Sequence, residues 1–262
     1  MGRIAVGIEY DGAAFHVWQR QPHAGSVQET VEGALSRVAD CPVELICAGR
    51  TDAGVHARAQ VAHFDTQAQR SERAWLLGAN SELPATVNLR WVVPVAEQFH
   101  ARFSALRRCY RYLLLNQTTR SALAAGRALV VHRPLDLAAM QRAALDLIGE
   151  HDFSAFRAVE CQARSPVRRI EQLALGRRGA WVSVEVTANA FLHHMVRNIV
   201  GSLVYVRKGN HAPAWIGGVL ASRDRALAAP TLGAAGLYLA HVSYDAKWGL
   251  PSLARRAWFD DN

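Results

Sequence analysis

The chain has 262 residues, half of them hydrophobic, with a formal net charge of +8 and a pI near 9.8. That composition excludes a disordered or fibrous protein and suffices for one large domain or two small ones sharing a core. No stretch reaches the roughly 18 uninterrupted apolar residues of a membrane span, and the start "MGRIAVGIEYDG" turns too early for a signal peptide and lacks the Ser or Thr of a myristoylation motif, so a cytoplasmic protein is expected.

Taken in chain order, residues 3–10 alternate Ile4, Val6, Ile8 and Tyr10 against Arg3, Ala5, Gly7 and Glu9, the period-2 pattern of a half-buried strand. Ser26 with Glu29 forms a capping box, and Val27, Val31, Ala34, Leu35 and Val38 follow at helical spacing, so 26–39 is expected as a helix that Pro42 stops. "VELICA" and "AQVAHF" read as short strands, 71–80 as a helix and "VNLRWVVPV" as a strand, giving the order β-α-β-β-α-β. The order then repeats. "RCYRYLLL" is a strand, Asp136 caps a helix running to Gly149, and "RRIEQLAL" and "WVSVEVTA" are strands. "HHMVRNIVGSLVYV" carries Met195, Val196, Ile199, Val200, Leu203 and Val204 on one helical stripe, a short helix begins near Pro213, and "GLYLAHVSY" closes as a strand. The fold class expected is α/β (α+β): two ferredoxin-like halves, 1–105 and 106–262, whose antiparallel sheets join side by side into one extended mixed sheet flanked by helices. The tail "PSLARRAWFDDN" carries no motif.

The basic residues are 28 Arg and 2 Lys. Arginine's planar fork suits phosphate and nucleobase contacts, although a GC-rich coding sequence gives the same bias without functional meaning, so placement says more than the total. "FHARFSALRRCYR" holds Arg102, Arg107, Arg108 and Arg111 with no acid and three aromatics; "RAVECQARSPVRR" holds Arg157, Arg164, Arg168 and Arg169 against Glu160 alone. Basic runs interleaved with aromatics are a footprint for nucleic acid, the alternative being a solvated strand edge protected by charge.

Cysteines at 41, 47, 109 and 161 have no CxxC spacing and read as free thiols acting as small hydrophobes in strands. No metal is expected: His193 and His194 are adjacent and should point in different directions, while His56 and His63 sit at a loop and a strand without a ligand set. Phosphate-cradling loops and a GxSxG elbow are absent. That leaves "CAGRTDAGVH" at 47–56. Asp52 there is either a turn residue, with Gly54 at positive φ and Arg50 offsetting its charge, or a catalyst whose ionic partner is Arg197 on the apolar helix.

The stretches "GIEYDG", "WQRQ", "SVQE", "CAGRTDAGVHA", "FHARFSA", "YRY", "DFSAFRA", "NAFLHHMVRNIVGSL" and "GLYL" together resemble the tRNA pseudouridine synthase A family, in its order and spacing, from near the start to residue 239. The resemblance implies isomerisation of uridine to pseudouridine at positions 38–40 of tRNA, without metal or cofactor, by a homodimer whose RNA cleft draws on both subunits. Asp52 matches the essential aspartate acting on the ribose, Tyr110 the aromatic that stacks on uracil, and Arg50 the arginine that helps hold the base out. Arg197 matches the basic partner of the aspartate and Leu237 an apolar pocket contact. Contacts to the tRNA anticodon arm are implied at Arg58, Arg70, Phe99, His100, Ala101, Arg102 and Phe103, and at Glu160, Cys161, Gln162, Ala163 and Arg164. Ala163 departs from the family, which often has a small polar residue there, and this touches one RNA contact only.

A single carboxylate fits this chemistry. Glycoside hydrolysis needs an acid and a base or nucleophile, whereas uridine isomerisation breaks C1′–N1, rotates the same uracil and rejoins it through C5, with no water entering. One ionised aspartate can attack C1′ or take a proton from C2′, and both routes stay open. A guanidinium at Arg197 is expected to keep Asp52 charged. The competing readings are a non-catalytic RNA-binding module, for which Tyr110 and Tyr112 are a weak aromatic platform, and a nucleosidase or glycosylase using Asp52.

Overall fold

Alternating apolar strands and capped amphipathic helices assemble, in this computed structural model, into a mixed α/β chain described at residues 2–21, 24–206 and 210–251. The C-terminal stretch from residue 252 lies outside the described residues. Contacts divide the chain into two units, one running to Leu106 and resuming at Leu239, the other running from Arg107 to Tyr238. The sequence pattern places everything after 105 in the second half, whereas the last strand falls in the first unit, paired with a strand there.

The first unit contains β1 (Gly2–Tyr10), α1 (Val27–Ala39), β2 (Ile46–Cys47), β3 (His56–Thr66), α2 (Glu72–Glu82) and β4 (Val87–Val95). Its strands lie in the order β4-β1-β3, with β2 also on β3 and β10 (Leu237–Tyr244) beside it. Ser26 caps α1 by accepting from the Glu29 amide, and Ser71 caps α2 by accepting from Ala74. The strand expected over 43–48 shrinks to β2. Its backbone donors are taken by α1 instead: the Val43 amide donates to Ser36 Oγ (2.9 Å) and the Leu45 amide to Glu32 Oε1 (2.8 Å). Glu32, buried on α1, is paired with Arg20 at 2.5 Å. The strict alternation expected for β1 also fails, since Ala5 and Gly7 are buried along with Ile4, Val6, Ile8 and Tyr10. β1 is central between β3 and β4, and the Trp91 ring lies over Gly7, where an added Cβ would sit 2.2 Å from it.

The second unit contains most of β5 (Ala105–Asn116), β6 (Leu129–Val131), α3 (Leu137–Leu145), β7 (Gly149–Asp152), β8 (Val167–Arg178), β9 (Trp181–Ala188), α4 (Met195–Tyr205) and α5 (Trp215–Ser222). Its sheet runs β5-β9-β8-β7, with β6 parallel to β5. Asp136 caps α3 as expected, but the helix ends at Leu145: Gly149, at φ +112, opens β7 rather than closing the helix. α4 starts at Met195 and buries Met195, Val196, Ile199, Val200 and Leu203, with Val204 only half-buried. All four cysteines are free; Cys47 and Cys109 lie in strands, whereas Cys41 and Cys161 lie in connections, contrary to expectation.

Candidate active site

Asp52 sits half-buried in the loop between β2 and β3, and the loop is braced on both sides. The Ala48 amide donates to Val61 O (2.7 Å), Gln60 Nε2 to Gly49 O (2.6 Å) and the Trp18 amide to Thr51 O (3.0 Å). The Thr51 hydroxyl shares a 2.7 Å hydrogen bond with the Tyr10 hydroxyl. The Val55 amide donates to Asp52 O at 3.1 Å, and Gly54 takes φ +74, so the expected turn is present. A turn alone does not call for the bracing, in which Tyr10, Trp18, Thr51 and Gln60 are all buried.

Gly12 presses on the same loop. A Cβ there would lie 2.0 Å from Val55 O, and the Gly12 amide donates to His56 Nδ1 at 3.0 Å. Asp11 Oδ1 lies 3.1 Å from the same ring nitrogen, so His56 ties the Gly12 turn to the start of β3. Tyr10, Gly12, Trp18, Thr51 and His56 received no role from the sequence, although each lies in a stretch that carried the family resemblance.

The expected RNA-contacting stretch 99–103 forms a turn held from within. Phe99 and Ala101 have fully buried side chains, Phe99 against His63, Tyr244 and Trp248, so these two shape the turn rather than present side chains to RNA. His63 Nδ1 accepts from the Ala101 amide, and His100 Nδ1 accepts from the Arg102 and Phe103 amides, each at 3.2 Å. Arg3 donates to Phe99 O (2.9 Å), to Glu97 O and to Asp65. Burial pushes the His63 imidazole down to about 4, with the Arg3 and His100 charges acting in the same direction and Asp65 opposing them. His100 is lowered too, first by burial and then by Arg3. Both acceptor rings therefore stay neutral near pH 7. Arg102 and Phe103 are left exposed on the turn, Phe103 at 77 %, with the guanidinium 5.7 Å from the ring centroid.

Burial drives the Cys47 thiol up to about 12, and the guanidinium charges of Arg50 and Arg102 both oppose that rise. Arg50 of the Asp52 loop and Arg102 of the 99–103 turn therefore both lie within electrostatic reach of Cys47. Arg50 is exposed; Arg58 is half-buried on β3; Arg70 is exposed before α2 and donates to Gln69 O at 3.1 Å.

In the second unit, Tyr110 is half-buried on β5 and stands edge-to-face with Phe191, with centroids 5.0 Å apart and planes at 87°. Tyr112 is fully buried, its hydroxyl donating to Gly233 O at 2.5 Å, and burial raises its ionisation above the usual phenol range. It is core, which removes half of the aromatic platform weighed for an RNA-binding module. Arg197 is half-buried on α4, its Nε donating to Leu232 O at 2.7 Å, and its charge is felt at Tyr112. Leu237 is buried at the start of β10. Glu160, Gln162 and Arg164 are exposed on the connection after a 3₁₀ turn at Ser154–Phe156, with Cys161 and Ala163 half-buried.

The basic runs are less available than their count suggests. Arg107 pairs with Glu171, Arg108 donates to Asn189 O (3.1 Å), and Arg111 pairs across the sheet with Glu185 (2.8 Å). Arg168 turns its guanidinium onto Ser165 O (2.9 Å) and Val167 O (2.6 Å). His193 and His194 do not diverge: their rings lie 4.0 Å apart at 34°, and His194 is the N-cap residue of α4, at φ +60.

A family model described as tRNA pseudouridine synthase matches residues 7–104 and 143–245. The chain belongs to the tRNA pseudouridine synthase family. Curated relatives named tRNA pseudouridine synthase A include that of Dechloromonas aromatica, 55% identical over 249 residues, covering 95% of this chain and 95% of the relative. Those of Methylococcus capsulatus and Thiobacillus denitrificans are 54% and 52% identical, covering 98% of this chain and 94% and 98% of their own lengths. The braced Asp52 loop and the 99–103 turn both fall inside the matched stretches of this pseudouridine synthase family member. No helix among the described residues is long and apolar enough to cross a membrane.

Proposed function

We propose that this chain isomerises uridines at positions 38–40 of tRNA, in the anticodon stem-loop, with Asp52 acting on the ribose of a uridine turned out of its stack. The reaction class, uridine to pseudouridine in tRNA, comes with family membership. The assignment of Asp52 is supported by the bracing of its loop, because buried groups from separate segments hold the backbone on both sides of a residue that itself stays half-buried. Fixing a reacting group in advance removes an orientational cost from the chemical step.

The C1′–N1 bond breaks, the uracil rotates and C1′–C5 forms; N1 ends with a proton and C5 loses one, so no atom is added overall. Asp52 supplies the one group acting at the sugar. Extruding the target base costs a few kcal/mol, and stacking on Tyr110 returns roughly 1–3 kcal/mol of it. The Phe191 edge fixes how the Tyr110 ring is presented. The family resemblance gives Arg50 the part of holding the base out, Leu237 that of an apolar pocket contact and Arg197 that of the basic partner of the aspartate. Arg102, Phe103 and the 160–164 connection contact the anticodon arm. The family resemblance further supports a cytoplasmic homodimer with an RNA cleft built from both subunits, which sedimentation of the protein with and without tRNA tests.

The deciding experiment maps pseudouridine in undermodified tRNA after adding wild-type or Asp52→Ala protein. We expect Asp52→Ala to bind tRNA and form no product. Undiminished product would falsify the assignment, free uracil would indicate hydrolysis, and binding without product from the wild type would indicate an RNA-binding module.

A further inference from the structure

Arg197 is the residue that the reading above assigns as the basic partner of Asp52, and its guanidinium is bonded to a main-chain carbonyl. Arg197 Nε donates to Leu232 O at 2.7 Å. That carbonyl belongs to a connection with no regular secondary structure, residues 228–236, and a backbone carbonyl there is only as fixed as the segment carrying it. The segment is held by a polar network starting on the same helix, one residue along. Asn198, fully buried, accepts at Oδ1 from Thr231 Oγ1 (2.6 Å) and Arg225 Nη2 (3.1 Å). Arg225 Nη2 also donates to Thr231 Oγ1 (3.1 Å), and Nη1 donates to Ala228 O (3.3 Å). Asn198 Nδ2 donates to Phe156 O (2.8 Å), and the Ala229 amide donates to Ser202 Oγ (3.2 Å). Gly201 lets the segment approach, because a Cβ there would lie 2.6 Å from Pro230 O.

We infer that Asn198, Arg225 and Thr231 are positioning residues for Arg197: they fix the 228–232 segment so that the Leu232 carbonyl holds the guanidinium in the orientation the reaction uses. This rests on the reading of Arg197 as the partner of Asp52. Asn198 is buried and Arg225 and Thr231 are half-buried, and each of the three bonds to more than one partner, so the geometry of the network is set by several contacts at once rather than by one exposed contact.

The test is steady-state and single-turnover pseudouridine formation on unmodified tRNA by Thr231→Val, Thr231→Ser and Arg197→Met. Thr231→Val keeps the side-chain shape while deleting both hydrogen bonds of the hydroxyl. We expect its kcat to fall on the order of 10-fold with KM for tRNA little changed, as for a displaced catalytic group. Thr231→Ser should recover wild-type kcat, with the thermal midpoints of all three variants monitored. Wild-type kcat in Thr231→Val, alongside an inactive Arg197→Met, overturns the inference and leaves the Arg197 reading standing. Full turnover in Arg197→Met overturns the Arg197 reading, and this inference with it.

Discussion

Replacing Gly12 with Ala tests whether the braced loop, rather than Asp52 alone, makes the site. The added Cβ would lie 2.0 Å from Val55 O and 2.4 Å from Val55 C, both backbone atoms that cannot swing aside like a side chain. Ordinary contact begins at 3.4 Å, so Val55 must retreat by about 1.4 Å or β1 must shift in turn. Val55 is hydrogen-bonded through its amide to Asp52 O, and the displacement is therefore passed to the carboxylate-bearing residue. A misplacement of about 1 Å costs on the order of 100-fold in rate, or about 2.7 kcal/mol in the barrier, and the overpacking itself costs about 1–3 kcal/mol of stability. The assay is single-turnover pseudouridine formation at saturating protein, with tRNA affinity measured separately by filter binding. Gly33→Ala is the control: nothing lies within 4 Å of its added Cβ on the exposed face of α1, so it should gain about 0.5–1 kcal/mol of stability and keep full activity. Turnover in Gly12→Ala equal to that of Gly33→Ala would refute the reasoning.

Tyr110→Phe should retain tRNA affinity and Tyr110→Ala should lose roughly 1–3 kcal/mol of it; equal binding by the two variants would remove stacking as the role of Tyr110. Arg102→Ala is expected to weaken tRNA binding and lower the slope of log affinity against log salt by about one phosphate contact, and an unchanged slope would place Arg102 off the RNA. His63, 2 % exposed and lowered from 6.5 to about 4, binds its proton more readily when unfolded, so its contribution is fully present above pH 6.5 and is lost as pH falls toward 4. Urea unfolding of the wild type should lose on the order of 2–3 kcal/mol from this group across that window. His63→Asn, whose amide oxygen can still accept from Ala101, should flatten the profile, and a slope equal to that of the wild type would rule out His63 as its source.

What the sequence by itself determined are the features whose causes lie within a few residues of one another. The Ser26 cap depends on an amide three positions on, and β4 and β9 follow from an uninterrupted β-prone run between turn residues. Much the same holds for the Asp52 turn, where Gly54 supplies the left-handed backbone locally. The tertiary structure decided whatever depends on partners tens of residues away. Residues 43–45 look like the start of a strand, yet their amides are claimed by Ser36 and Glu32 of α1. Gly7 looks solvent-facing until Trp91 covers it from the neighbouring strand. Arg111 looks like part of an RNA footprint until the register of β5 on β9 sets Glu185 opposite it. Phe99 and Phe103 are four residues apart in one motif, and only the packing of His63, Tyr244 and Trp248 around the first leaves the second to face outward. Local pattern specifies a residue's backbone state, because that energy is settled by its immediate neighbours. Burial, pairing and exposure are settled by whichever surfaces the fold brings against it, and on these depend the roles proposed above for Asp52, Arg102 and Arg197.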